Sequence, residues 1–180
     1  MPPPAHVVSP RELAPEEKAR WQRDGYTVLK GFLSPAQLDL WRERVDAAVA
    51  ERAGRRFPAD PLPEAGPGTY YSGVFDQTLN LHQTNAGMRE IVFETAKVVG
   101  RLAVQLNDHP LGFRLYVDQA LTKQPWASPT GFHIDNPLWS FDSPCATTAW
   151  VALDHATREN GCLQFVRQGY FLDLSRCPSR

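Results

Sequence analysis

FRLYVDQALTK, residues 113–123, alternates with period two, so Phe113, Leu115, Val117, Gln119, Leu121 and Lys123 share one face of an extended chain. That pattern predicts a strand, and two more candidates follow it, CATTAWVALD (145–154) and CLQFV (162–166). The turn HATRENG (155–161) between them predicts an antiparallel pair. Upstream the period is helical. Acids early and bases late in LAPEEKARWQ (13–22) suit a short helix. Ser34, Pro35 and Gln37 supply an N-cap, a first-turn proline and a capping box for a second, whose inner face carries Leu38, Trp41, Val45 and Val49. Met88, Ile91, Val92, Val99 and Leu106 outline a third, running to about His109. YTVLKGFL (26–33) and YYSGVF (70–75) read as strands, and the proline- and glycine-rich 54–68 as a surface loop. Helices first and strands afterwards predict an α+β domain or a β-barrel with helices packed outside.

The remaining composition narrows the class. A chain of 180 residues suits one domain, and 42% apolar residues can fill its core. Nineteen basic against twenty acidic side chains leave a net charge of −1, which argues against nucleic acid or an anionic membrane as partner. No apolar run is long enough to span a bilayer, and MPPPAHVVSP lacks the layout of a secretory signal. Cys145, Cys162 and Cys177 form no CxxC pair and leave an odd thiol, which favours a reducing compartment over a disulfide scaffold. The expectation is a soluble cytoplasmic protein.

Several residues could carry chemistry. On the first strand face, Gln119 and Lys123 are the polar members; a buried lysine needs an anion or water, whereas one at the end of an edge strand simply emerges into solvent. In 145–154, Ala146, Thr148, Trp150 and Ala152 share a face that reads either as a cavity wall or as ordinary packing. His133 and Asp135, in GFHIDNPLW (131–139), lie two residues apart, so an extended backbone turns both to one side, where they can meet one ion about 2 Å from each. Two histidines and a carboxylate on one face of an octahedron are the ligand set of non-haem Fe(II) oxygenases. Spacing alone leaves a loop hydrogen-bond pair as the other reading.

Taken together, RLYVDQALTKQP, FHID and TAWVALDHATRENGCLQFV closely resemble the phytanoyl-CoA dioxygenase (PhyH) family, with its K-x-P strand end, H-x-D and A-W-x-A followed by N-G-x-L. NLHQTNAGMREIVFE and GYTVLKGFLSPAQLDLWRERVD are similar to the family's earlier segments, so the likeness covers about residues 20–166. It implies a double-stranded β-helix (jelly-roll, cupin-like) fold and an Fe(II)- and 2-oxoglutarate-dependent oxygenase that uses dioxygen on a small-molecule substrate. By the same resemblance His133 and Asp135 are iron ligands, while Gln119, Lys123 and Trp150 serve 2-oxoglutarate. Asp135 argues against the halogenase variant, in which a small residue replaces the carboxylate.

The family pattern is not met everywhere. Leu81 stands where some relatives carry a lysine for 2-oxoglutarate, and VRQGYFLDLSRCPSR replaces a P-G-S-H-like turn. The distal histidine ligand and the arginine for the far carboxylate of 2-oxoglutarate have no matching position; His155, in the HATRENG turn, is the only histidine after Asp135. The expectation is therefore a disordered lead-in over 1–12, an incomplete PhyH-like domain over 13–167 and a divergent tail over 168–180, the product of a C-terminal truncation. A catalytically inactive fragment or binding module of the same family is the alternative function. Acyl-CoA thioesters and natural-product intermediates are the substrate classes implied. Asn80 and Gln83 are either entrance-lining or merely solvated.

Overall fold

The computed structural model describes residues 7–53, 73–135 and 139–166. Along them run α1 (Pro15–Asp24), α2 (Pro35–Arg52), β1 (Asp76–Leu79), the short α3 (Leu81–Thr84), α4 (Ala86–Asn107) and β2 (Gln119–Thr122). The helices start where side chains satisfy free amides. Ser34 Oγ accepts from Gln37 N–H at 3.3 Å and Gln37 Oε1 accepts from Ser34 N–H at 2.8 Å, completing the expected capping box. At α1 only half of such a box forms: Glu17 accepts from Ala14 N–H at 3.0 Å, but Ala14 has no side-chain oxygen to return. That helix stops at Gly25, whose φ of 79° lets its N–H reach Trp21 O at 2.9 Å. Asn85 caps α4 by accepting from Met88 N–H at 2.9 Å.

The core lies between α2 and α4. Trp41, Ile91, Val98 and Leu102 gather with Val8 in one buried cluster, and Ala48, Leu81 and Met88 form a second. Ile91, only 1% exposed, contributes roughly 2 kcal/mol through burial. Two polar side chains tie distant segments to α2: Gln37 Nε2 donates to Val7 O at 2.7 Å and Arg52 Nη1 to Leu79 O at 3.1 Å.

The strand content departs from expectation. β1 and β2 pair antiparallel, Asp76 opposite Thr122 and Leu79 opposite Gln119, as a sheet of two strands that does not close. Of the strand predicted over 113–123, only Gln119–Thr122 finds a ladder partner. Residues 26–33, 145–154 and 162–166 form no strand among the described residues, and the antiparallel pair predicted across HATRENG is absent there. The strand predicted at 70–75 lies partly outside the described residues, and its described part, 73–75, precedes β1. Alternation establishes which side chains share a face, but a strand exists only when another chain segment supplies the ladder.

Packing nevertheless obeys the alternation. Val151 and Leu153 pack on the first cluster, as do Leu29, Phe32 and Leu33, while Trp150 is 45% exposed. Side chains hold 145–154 in place of a ladder: Asn107 Nδ2 donates to Thr147 Oγ1 at 3.0 Å and Arg42 Nε to Leu153 O at 2.6 Å. In β2 the helices take the opposite face from the one expected to be core. Ala120 packs on the second cluster because its small side chain admits the helices closely, leaving Gln119 and Leu121 exposed.

Among the described residues no helix is long and apolar enough to cross a membrane. Cys162 is a free thiol, whereas Cys145 is disulfide-bonded.

Candidate functional site

His133 and Asp135 converge. His133 Nδ1 lies 2.9 Å from Gly131 O, and a carbonyl can only accept, so Nδ1 carries the proton. In the neutral ring this leaves Nε2 with a bare lone pair, and it stands 3.3 Å from Asp135 Oδ1. Two lone pairs facing each other at that distance repel unless positive charge lies between them, either a second ring proton or a metal ion. Two ligands about 2.1 Å from one ion and at right angles stand about 3.0 Å apart, so the pair is spaced only slightly wider than one ion requires. The donor set, an imidazole nitrogen and a carboxylate oxygen, suits a divalent first-row metal.

A third side chain holds the carboxylate. Thr148 Oγ1 donates to Asp135 Oδ2 at 3.2 Å, so one oxygen is turned by the hydroxyl and the other is left to face the imidazole. Such an outer partner fixes a ligand's orientation. Sequence reasoning had put Thr148 on the face of Trp150 without giving it a task. The missed signal was that a carboxylate turned by one oxygen towards an imidazole needs a donor for its second oxygen. Both ends of the pair remain open to solvent, with His133 51% and Asp135 43% exposed.

The other candidates are placed less simply. Trp150 is two residues beyond Thr148, on the same side of its segment by alternation. Gln119 Oε1 accepts from Gln77 Nε2 of the neighbouring strand at 2.6 Å and is not hydrogen-bonded to the pair. Lys123 Nζ donates to Val74 O at 2.9 Å and Ser128 O at 2.5 Å, so its ammonium joins two loop segments. The exposed His155 remains in its turn, where its carbonyl accepts from Asn160 Nδ2 at 2.6 Å. Among the described residues no group of three His, Cys, Asp or Glu side chains gathers around a point that could hold a metal. Leu81 is fully buried in the second core cluster.

A second histidine–carboxylate pair escaped the sequence reading, because its members are far apart in the chain. His82 Nδ1 contacts Asp118 Oδ1, and Asp118 Oδ2 accepts from Leu81 N–H at 3.0 Å.

Comparison with known proteins places these residues in context. The family model for Phytanoyl-CoA dioxygenase (PhyH) matches residues 21–169, a span that contains both histidine–carboxylate pairs. A methylphosphonate hydroxylase of Gimesia maris is 27% identical over 178 residues, covering 93% of this chain and 63% of that protein. The chain thus spans a little under two thirds of that relative's length. No solved structure matches it.

Proposed function

The chain belongs to the phytanoyl-CoA dioxygenase (PhyH) family, a family of oxygenases with a cupin-like fold, and on that premise we propose that it acts as an Fe(II)- and 2-oxoglutarate-dependent hydroxylase of a small organic substrate. The closed form of its domain is then the jelly roll. The observation that carries the reading is the approach of His133 Nε2 to Asp135 Oδ1 at 3.3 Å, inside the matched span.

Each residue has a definable part. His133, its Nδ1 proton spent on Gly131 O, offers Nε2 to the iron, and Asp135 offers Oδ1. Thr148 engages the aspartate's other oxygen, so Oδ1 would be the one left for the metal. Trp150 presents a flat, half-exposed wall suited to the planar 2-oxo-acid end of 2-oxoglutarate, and Gln119 an amide for one of its oxygens. Lys123 serves the co-substrate only by giving up Val74 O or Ser128 O. Iron and 2-oxoglutarate, when bound, supply the oxidising chemistry, in which dioxygen and 2-oxoglutarate yield succinate, CO₂ and a hydroxylated substrate. The name of the Gimesia maris relative makes short alkylphosphonates the first substrates to test.

Anaerobic addition of Fe(II) and 2-oxoglutarate is expected to give a visible charge-transfer band, followed in air by succinate. His133→Ala and Asp135→Ala are each expected to remove both signals. No band and no succinate from the parent chain would favour the inactive binding module. Turnover that survives either substitution would refute the assignment of the pair.

A further inference from the structure

We propose that the groove between α4 and residues 114–116 is a second binding site, for a small oxyanion carrying an apolar body. The groove is open to solvent, has a volume of about 470 Å³ and is lined by His82, Phe93, Lys97, Arg114, Leu115 and Tyr116 among others. It is independent of any metal at His133 and Asp135.

His82 is prepared for a ligand on one side only. Its Nδ1 faces Asp118 Oδ1, and Asp118 is held by donors from Leu81 N–H at 3.0 Å and, at its main-chain oxygen, from Asn80 N–H at 2.8 Å. The carboxylate therefore fixes Nδ1 as the protonated nitrogen and leaves Nε2 as the ring's acceptor. The ring also stands edge-on to Phe93, with centroids 5.7 Å apart. Among the described residues no hydrogen-bond partner meets Nε2.

Charge selects the sign of the ligand. Lys97 is paired with Glu94 at 2.5 Å, and Arg89 is spent on the carbonyls of His82 and Gln83 at 3.0 and 3.4 Å. Arg114 is exposed and has no carboxylate or carbonyl partner among the described residues, so its planar fork is available to a carboxylate or phosphoryl group. Phe93 is 47% exposed and Leu115 36%, which gives the apolar body a surface to cover. Pinning the 80–83 turn to β2 would account for Asp118, but it leaves Arg114 and the open imidazole edge unexplained. A single free nitrogen is too few for a metal site.

The test uses the intact, metal-free chain. Nitrogen NMR of the His82 ring is followed while benzoate, phenyl phosphate or inorganic phosphate is added at constant pH and ionic strength. The expected result is a saturable shift at Nε2, tighter for the two aromatic anions than for inorganic phosphate; which of the two binds more tightly identifies the head group. Arg114→Gln, at an exposed side chain with no hydrogen bonds to lose, is expected to weaken binding at least 10-fold. Arg101→Gln, which removes the same charge beside Glu12, is expected to leave binding unchanged. A shift that stays linear with concentration, or equal weakening by both substitutions, would overturn the site.

Discussion

Replacing Lys123 by methionine separates two tasks for one side chain. The family resemblance implies a 2-oxoglutarate role for this lysine, yet its ammonium donates to Val74 O at 2.9 Å and Ser128 O at 2.5 Å. Val74 is fully buried, and Ser128 N–H donates back to Gly73 O at 2.8 Å, so Lys123 stitches 73–74 to 128. Its stem also lies against Gly161, where an added Cβ would meet Cδ and Cε at 3.0 Å in a backbone already at φ +91°. Methionine keeps most of that stem and removes both donated bonds. Hydrogen bonds to charged groups contribute about 1.5–3 kcal/mol each; the part-buried bond to Val74 O is taken at about 1.5 and the solvent-exposed one to Ser128 O at about 0.5, so the joint loss is about 2 kcal/mol. Urea denaturation of metal-free protein should then show a midpoint lower by roughly 1 M, taking a slope near 2 kcal/mol/M. A stability change under about 0.5 kcal/mol, together with lost 2-oxoglutarate affinity, would refute the clamp and return Lys123 to the co-substrate.

Two further outcomes follow from individual contacts. Thr148→Val keeps the side chain's shape but leaves Asp135 Oδ2 without its donor, so Fe(II) affinity by competitive titration should fall about 10-fold; unchanged affinity would show that the hydroxyl does not position the carboxylate. At Glu17, burial alone would raise the carboxyl, but donors from Ala14 N–H and Arg11 and the charges of Arg11 and Arg20 outweigh it and hold the group below its ordinary 4.5. A lowered folded value means that the stabilisation is present above pH 4.5 and is lost as the pH falls through the lower folded value. Glu17→Gln should therefore cost roughly 0.5–1 kcal/mol at pH 7 and converge with the parent chain in acid; a gap that persists at pH 2 would contradict the ion pair with Arg11.

What was legible in the chain was local. Ser34, Pro35 and Gln37 announced α2 because a capping box is closed within four residues, and 3.6-residue spacing placed Trp41 and Ile91 in the core. The spacing of His133 and Asp135 was legible for the same reason, since two side chains two residues apart in extended backbone point to the same side. Period two likewise put Val151 and Leu153 on one face and Trp150 on the other, but it turned the Trp150 face towards a cavity, whereas the core took Val151 and Leu153. Nor could it say that Asn107 and Arg42, rather than a strand, would hold their segment.

The sequence by itself determined α1, α2 and α4, which side chains of an extended segment share a face, and the meeting of one imidazole with one carboxylate, because each is decided by bonds and dihedrals among near neighbours. Only the tertiary structure decided that Thr148 would turn Asp135, that Lys123 would clamp two loops, and that His82 would find Asp118 36 residues away. Those contacts depend on how α2, α4 and the sheet pack. Packing is set by the summed burial of many apolar side chains, which no local spacing encodes.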